Sequence, residues 1–384
     1  VATDTIGKRI GILGGGQLGK MLCQAGSRLG LMLSVMDKDH TFPAYSVCPN
    51  FTMGDITSYE DVMAFGSNAD ILTIEIEKVN IEALEALERE GKEVYPRPSS
   101  LRIITDKGKQ KIFYEGAGFP TSDFVLYKSK DEIINDVEQG TLKMPFVQKL
   151  RTEGYDGRGV HVVKTDDDMV ALLEGASVVE DLIDVDKEFA VIVARSVSGE
   201  MAAYPVVEMQ FHPMANLVEF LFSPSTIPSA KQIEASQLAI QLAEKLEMVG
   251  LLAVEMFLDK SGKIWINEVA PRPHNSGHHT IEACAISQYE MHLRALLDWP
   301  LGSTEQLRYA VMVNLLGAEG HNGAAEYQGL REIMAMSEVY LHIYGKKETK
   351  PFRKMGHVTI TGSSLEEAIA KAHQVQNTLK VISS

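Results

Sequence analysis

Two carboxylates, Glu255 and Glu268, stand inside otherwise apolar runs, LLAVEMFL and KIWINEVA, that flank Ser261-Gly262. Apolar runs on either side of a short turn signal predict a β-hairpin. Counting outward from a two-residue loop sets Lys260 opposite Lys263 and Glu255 opposite Glu268, with both glutamates on one face. Carboxylates roughly 5 Å apart across strands repel by about 3 kcal/mol at an effective dielectric of about 20. A divalent cation on the pair Glu255 and Glu268 offsets that cost. Asn267 beside them makes the ligand set all oxygen, which suits Mg²⁺ held jointly with phosphates.

The next residues, APRPHNSGHHT, place Arg272, His274, Asn275, His278 and His279 on a loop broken by proline and glycine, where functional groups commonly sit. Zinc is a poor fit, since no cysteine is near and no three-ligand spacing matches. An anion site beside the metal fits better, with Arg272 offering a planar fork to a carboxylate or phosphate.

The elements that must position these groups follow from the rest of the chain. Arg9–Leu13 is a short strand running into Gly14-Gly15-Gly16-Gln17-Leu18-Gly19, with a helix to follow and a second strand ending at Asp37. This G-x-G-x-x-G pattern is compatible with a dinucleotide, with another anion, or simply with close βα packing. A strand over residues 69–79 carries Glu75 and Glu77 near its carboxyl end, where ligands of open α/β sheets collect. Pro96 and Pro98 close this unit, and Ser99 or Ser100 caps a helix through Leu101, Ile104, Lys107 and Lys111. A strand bearing Lys149 then leads into Thr152–Gly159, three glycines around Tyr155, Asp156 and Arg158, followed by a strand from Val160. A glycine-rich hairpin loop after a lysine can close over a triphosphate. A helix starts at Asp166–Asp168, and Ser177–Ile183 is a strand with Glu180 and Asp181. Glu188 opens a further strand, and Met201–Glu208 forms one more. Pro228 starts an amphipathic helix to Leu246, and a small α/β unit begins near Asp298. Its basic run, YGKKETKPFRKMGH, reads as solvated surface or as a phosphate-binding loop.

With 384 residues the chain is long enough for two or three domains. The net charge of -15 argues against a general partner in nucleic acid or an anionic membrane. Phosphate must therefore be met by local lysines, arginines and backbone N–H groups. Cys23, Cys48 and Cys284 form no C-x-x-C, no run reaches transmembrane length, and the amino end lacks a signal pattern. The expectation is a cytoplasmic, reduced protein.

Taken together, GILGGGQLGKML, TIEIEKV, GYDGRG, NEVAPRPHNSGHHT, YGKKE and RKMGH resemble the ATP-grasp ligases, and within them the N5-carboxyaminoimidazole ribonucleotide synthetases of purine biosynthesis. The resemblance covers essentially the whole chain. It implies an α/β and α+β chain with an ATP-grasp fold. A Rossmann-like preATP-grasp domain would cover 1–98, an ATP-grasp domain 99–298 with a lid at about 120–185, and a small C-terminal domain 299–384. It implies carboxylation of 5-aminoimidazole ribonucleotide with ATP and bicarbonate through carboxyphosphate. A formate-dependent glycinamide ribonucleotide transformylase is the alternative within the superfamily. By the same resemblance Lys107 and Lys149 contact ATP phosphates, Glu180, Asp181, Leu182 and Ile183 meet the adenine edge, and Glu188 meets the ribose. Glu255 and Glu268, with Asn267 nearby, hold Mg²⁺. Gln17, Glu75 or Glu77, Tyr155, Asp156, Arg158, Lys346, Arg353 and Lys354 line the ribonucleotide site. Arg272, His274 and Asn275 hold the bicarbonate-derived anion, with Asp156 or His274 taking the amine's proton. A homodimer is implied as well.

Overall fold

The structure is a computed structural model that describes residues 6–152, 159–212 and 217–384. Short apolar strands alternate with helices at the amino end: β1 (Arg9–Leu13), α1 (Gln17–Arg28), β2 (Met32–Asp37), β3 (Phe51–Met53), α2 (Tyr59–Ser67), β4 (Ile71–Ile74), α3 (Ile81–Arg89) and β5 (Glu93–Val94). The strands pair in parallel in the order β3-β2-β1-β4-β5. Such sheets collect ligands beyond their carboxyl ends. The strand expected over 69–79 stops at Ile74, where its partner β1 also stops and Gly14 leaves the sheet. Glu75 then turns toward the glycine run.

The single helix expected through Leu101 and Lys111 is two: α4 (Pro98–Ile104) and α5 (Lys107–Gly116). Neither Ser99 nor Ser100 caps the first, whose cap position is Arg97. Asp106 breaks the run, because its carboxylate accepts from the N–H groups of Gly108 (2.8 Å) and Lys109 (3.2 Å) and so starts a new helix. Arg151, on the chain leading to the glycine-rich loop, grips the same carboxylate with Nε at 2.9 Å and Nη2 at 2.6 Å. Lys107 is thereby fixed at the first turn of α5.

A smaller antiparallel sheet follows, from β6 (Phe124–Tyr127), β7 (Phe146–Leu150), β8 (Val160–Val163) and β9 (Ser177–Asp181), ordered β6-β9-β7-β8 and covered by α6 (Lys130–Glu138). The acidic run at Asp166 starts only a short 3₁₀ turn, Asp166–Ala171.

The third sheet among the described residues has nine strands. It uses β10 (Val185–Arg195), β11 (Met201–Ala203), β12 (Val207–Phe211), β13 (Val218–Ser223), β14 (Gly250–Asp259), β15 (Ile264–Ala270) and β16 (Tyr309–Leu316). The strand expected over Met201–Glu208 is two, because β11 and β12 pair with different stretches of β10. α7 (Ser229–Lys245) packs on one face against Leu252, Val254 and Met256. α8 (Thr280–Ala283) and α9 (Gln288–Leu296) follow the hairpin, and α9 covers the alternate residues Leu251 and Ala253. Period-two alternation puts Glu255 on that second face. His292 of α9 is fully buried and joins two sheets, accepting from the Leu251 N–H (3.3 Å) with Nε2 at 3.0 Å from Thr73 Oγ1 of β4. Burial drives its pKa down to about 3, so the bridge is neutral.

The carboxyl-terminal stretch comprises β17 (Gly323–Gln328), α10 (Leu330–Met334), β18 (Val339–Ile343), β19 (Glu348–Thr349), β20 (Lys354–Gly362), α11 (Leu365–Thr378) and β21 (Lys380–Ser383). β16 pairs with β13 on one side and β20 on the other, and β20 in turn pairs with β18, so the nine-stranded sheet continues from the residues before 298 into those after it.

Candidate active site

Glu255 and Glu268 are direct cross-strand partners. The loop that produces this register is not the expected one. Asp259 pairs with Lys263, since its N–H donates to the Lys263 carbonyl (3.0 Å), leaving Lys260–Gly262 as a three-residue turn. Lys260 therefore does not face Lys263. The Asp259 carboxylate shapes the turn by accepting from the N–H groups of Ser261 (2.8 Å) and Lys263 (2.9 Å), and Gly262 supplies φ +83°. The register shifts back between Met256↔Ile266 and Glu255↔Glu268, with Asn267 as the extra residue. A bulge of this kind re-aims a side chain, and the Asn267 amide oxygen accepts from Lys149 Nζ at 2.9 Å.

The two carboxylates differ in electrostatics. Burial, and then the charge of Glu268, push Glu255 well above the usual carboxylate range. Glu268 is held low because Lys107 pairs with it, outweighing its burial. One opposed acid thus pairs with a lysine, while the other has His274 Nε2 at 3.5 Å. Among the described residues no cluster of three or more His, Cys, Asp or Glu could hold a metal. A pair of carboxylates still fits Mg²⁺, which is commonly bound through one or two protein carboxylates plus substrate phosphates and water.

Lys107, Lys149, Glu180 and Asn267 line one cleft together with Lys111, Gln110 and Val178. Glu180 is buried and pairs with Lys149 and with Lys111 Nζ (2.7 Å), and it accepts from Ser122 Oγ (2.8 Å). Burial opposes its charge, yet the two lysines bring its pKa to about 2. Lys111 is itself pushed down by burial, which Glu180 offsets only in part. Lys111 is buried in this cluster. The Glu180 carboxylate is therefore an ionic partner of the two lysines. Asp181 ends β9 with its side chain exposed. Glu188, on β10, has its pKa pushed up to about 7 by burial, with Lys149 pulling the other way.

The loop after β15 reaches back to the first sheet. Arg272 Nε lies 2.9 Å from Glu77 Oε1. His274 Nε2 is 3.5 Å from Glu255 Oε1, and its Nδ1 is 2.9 Å from Ser276 Oγ. The Asn275 amide is engaged by Asn314 of β16 in a reciprocal pair, at 2.8 and 2.9 Å, which ties the loop to the sheet. His278 and His279 are buried and held neutral by burial, and His278 Nδ1 meets Tyr289 Oη at 2.9 Å.

At the glycine run, Glu75 accepts from the N–H groups of Gly16 (3.0 Å) and Gly19 (2.8 Å). Asp37 accepts from Gly15 N–H at 2.6 Å. A Cβ on Gly16 would lie 2.5 Å from Glu75 Oε1, so this glycine makes room for a carboxylate of the same chain. The amides that would hold a dinucleotide pyrophosphate are already used. Gln17 opens α1 beside them.

In the basic run, Lys346 Nζ donates to the Lys354 carbonyl (2.7 Å) and Arg353 Nη1 to the Glu348 carbonyl (2.7 Å). The charge of Lys354 is felt at Glu255 and His278, which sets it toward the hairpin. Tyr155, Asp156 and Arg158 lie outside the described residues.

Three family models match in succession: a ribonucleotide synthetase preATP-grasp domain at 7–105, an ATP-grasp domain at 112–289 and a phosphoribosylaminoimidazole carboxylase C-terminal domain at 310–371. The N5-carboxyaminoimidazole ribonucleotide synthase of Synechococcus elongatus is 36% identical over 97% of this chain and 94% of its own length. The chain spans 64% of the chloroplastic phosphoribosylaminoimidazole carboxylase of Vigna aconitifolia, at 37% identity over 93% of this chain. The N5-carboxyaminoimidazole ribonucleotide synthetase structure from Thermotoga maritima superposes with a TM-score of 0.90 at 40% identity, covering 98% of this chain and 100% of that one. The synthase of Aspergillus clavatus, solved in complex with ADP and 5-aminoimidazole ribonucleotide, gives 0.86 at 30% identity over 96% and 98%. A lysine-flanked acidic hairpin, a Glu75-filled glycine loop and these full-length matches coincide, and the chain belongs to the N5-carboxyaminoimidazole ribonucleotide synthase family of ATP-grasp ligases.

Proposed function

We propose that this protein carboxylates the exocyclic amine of 5-aminoimidazole ribonucleotide, using ATP and bicarbonate and releasing ADP and phosphate. The observation that carries the reading is the opposed pair Glu255 and Glu268 with Lys107 on one carboxylate and Lys149 on Asn267 between them. The relatives' names and the nucleotide complex supply the substrate class.

Bicarbonate is a weak electrophile, so the γ-phosphoryl group passes first to a bicarbonate oxygen, giving carboxyphosphate and ADP. The substrate amine then attacks the carboxyphosphate carbon, phosphate leaves, and the amine's proton goes to His274 or to Asp156. Mg²⁺ on Glu255 and Glu268 would neutralise charge on the transferring group. The chain's own residues do the positioning that dominates phosphoryl transfer. Lys107 and Lys149 exchange their carboxylate and amide partners for ATP phosphates. The backbone of Glu180–Ile183 meets the base, and Glu188 meets the ribose. Arg272, oriented by Glu77, holds the bicarbonate-derived anion. The glycine-rich loop with Tyr155, Asp156 and Arg158 excludes water from carboxyphosphate. Gln17, Lys346, Arg353 and Lys354 hold the ribonucleotide.

Release of ADP with the ribonucleotide, bicarbonate or both omitted tests the reading. Loss of ADP release when the ribonucleotide or bicarbonate is withheld supports it. Restoration by formate in place of bicarbonate would point to a transformylase instead. The same proposal takes the assembly to be a homodimer, which a sizing column with light scattering checks. It also takes the setting to be cytoplasmic, in keeping with three buried free cysteines and no helix long and apolar enough to cross a membrane among the described residues.

A further inference from the structure

Lys20 sits one residue beyond the glycine run, in the first turn of α1, and its N–H donates to the Gly16 carbonyl at 3.0 Å. Its ammonium reaches across to the far end of the sequence, donating to the carbonyls of Ile343 (3.0 Å) and Tyr344 (3.2 Å). Those carbonyls belong to the end of β18, where the strand turns out through Gly345 (φ +89°) into the basic run. Burial pushes the Lys20 pKa down. A half-buried cation held, among the described residues, by two main-chain carbonyls is a costly way to make an ordinary surface contact.

The neighbours show what this contact controls. Tyr344 is buried, and its hydroxyl meets His357 Nδ1 at 3.1 Å. Lys346 lies over the Tyr344 ring, 5.6 Å from its centroid, and donates to the Lys354 carbonyl at 2.7 Å. The charge of Lys347 is felt by Asp39, just beyond β2, and that of Lys354 by Glu255. The start of the basic run is thus tied to α1, which leaves the glycine run at the carboxyl end of β1. Lys20 is a point where α1 holds it there.

We propose that Lys20 is a positioning residue for the substrate's phosphate: it pins the end of β18 and Gly345 so that Lys346 and Lys354 face the site shared with Gln17. This rests on the ribonucleotide reading above. A lysine suits the task because one ammonium can donate to two carbonyls at once. Arginine, with more donors in a rigid fork, can replace it, and neutral methionine cannot.

The test compares steady-state ADP release by Lys20→Met, Lys20→Arg and the unaltered chain. Each is assayed with 5-aminoimidazole ribonucleotide and with the corresponding riboside, which lacks the phosphate. Loss of charge-assisted hydrogen bonds on this scale corresponds to a change of about tenfold or more. The expected result is a rise of that size in KM for the ribonucleotide in Lys20→Met, with KM for ATP unmoved. Lys20→Arg should return most of it. On the riboside, Lys20→Met and the unaltered chain should be alike, because the phosphate subsite is not engaged. An unchanged KM for the ribonucleotide, or an equal loss on the riboside, overturns the inference. If Lys20→Met does not fold, as judged by its thermal transition, Lys20→Gln replaces it and is read the same way. The unaltered chain separates the two levels: if its ADP release ignores the ribonucleotide, the functional reading has failed, not the role of Lys20.

Discussion

Glu255 and Glu268 face each other across β14 and β15 because the strand carrying Glu268 bulges at Asn267. Without that extra residue, the three-residue turn at Lys260–Gly262 would leave the pairing one residue out. A slip of one residue sends a side chain to the opposite face of a sheet. The bulge does double duty, since Asn267 also receives Lys149.

Glu268→Gln should keep the fold and lose ATP turnover. Lys107 would lose its carboxylate partner, and the opposed pair would lose the member that stays ionised. We expect phosphate release to fall by about a hundredfold or more, as when a preorganised electrostatic group is removed, with circular dichroism unchanged. Near-normal turnover would remove the carboxylate pair from the mechanism.

Acid should weaken the cleft through Glu180. Its pKa is brought to about 2, below the ordinary carboxylate value, by Lys149 and Lys111 against the opposing effect of burial. A depressed carboxylate contributes stability that is present above the unfolded-state pKa and lost as pH falls through the folded one. The window is therefore from about 4.5 down to about 2, and the contribution at neutral pH is about 3 kcal/mol. In Glu180→Gln, denaturant unfolding should show lower stability at pH 7 and a flatter dependence across that window. An unchanged slope would show that the cluster does not act on stability in this way.

Glu75→Gln tests the glycine run. The Gly16 and Gly19 N–H groups both point at the carboxylate, so a side-chain amide must turn an N–H toward one of them. A buried donor left without an acceptor costs about 1–3 kcal/mol. We expect a lower thermal midpoint for the variant. For the unaltered chain, titration with NADH should give no fluorescence change, because those amides are taken; saturable binding would reopen the dinucleotide reading.

The Asn275–Asn314 pair should behave as one unit. Each single alanine substitution strands the other amide, and Asn314 also donates to the Val218 carbonyl at 2.7 Å. Each is expected to cost about 1–3 kcal/mol, and the double substitution less than their sum. Additive losses in a denaturant-melt cycle would show that the two amides act independently.

What the sequence determined by itself was local chemistry and its periodicity. The acids within apolar runs, the glycine loop after β1, Lys149 on a strand and the basic run were all readable, because period and turn signals act over a few residues. The break at Asp106 has a local signature too, an N-cap residue ahead of a helix. Tertiary structure alone decided the partners. Lys111 and Glu180, Lys20 and Ile343, Asn275 and Asn314, and Glu75 and the glycine amides are each far apart in the chain. No local pattern encodes such pairs. They exist because a buried polar group must find a partner wherever packing has brought one. The hairpin shows both limits in one place: its acids were visible as residue types, but their meeting depended on a turn and a bulge that offset each other, which only the folded sheet settles.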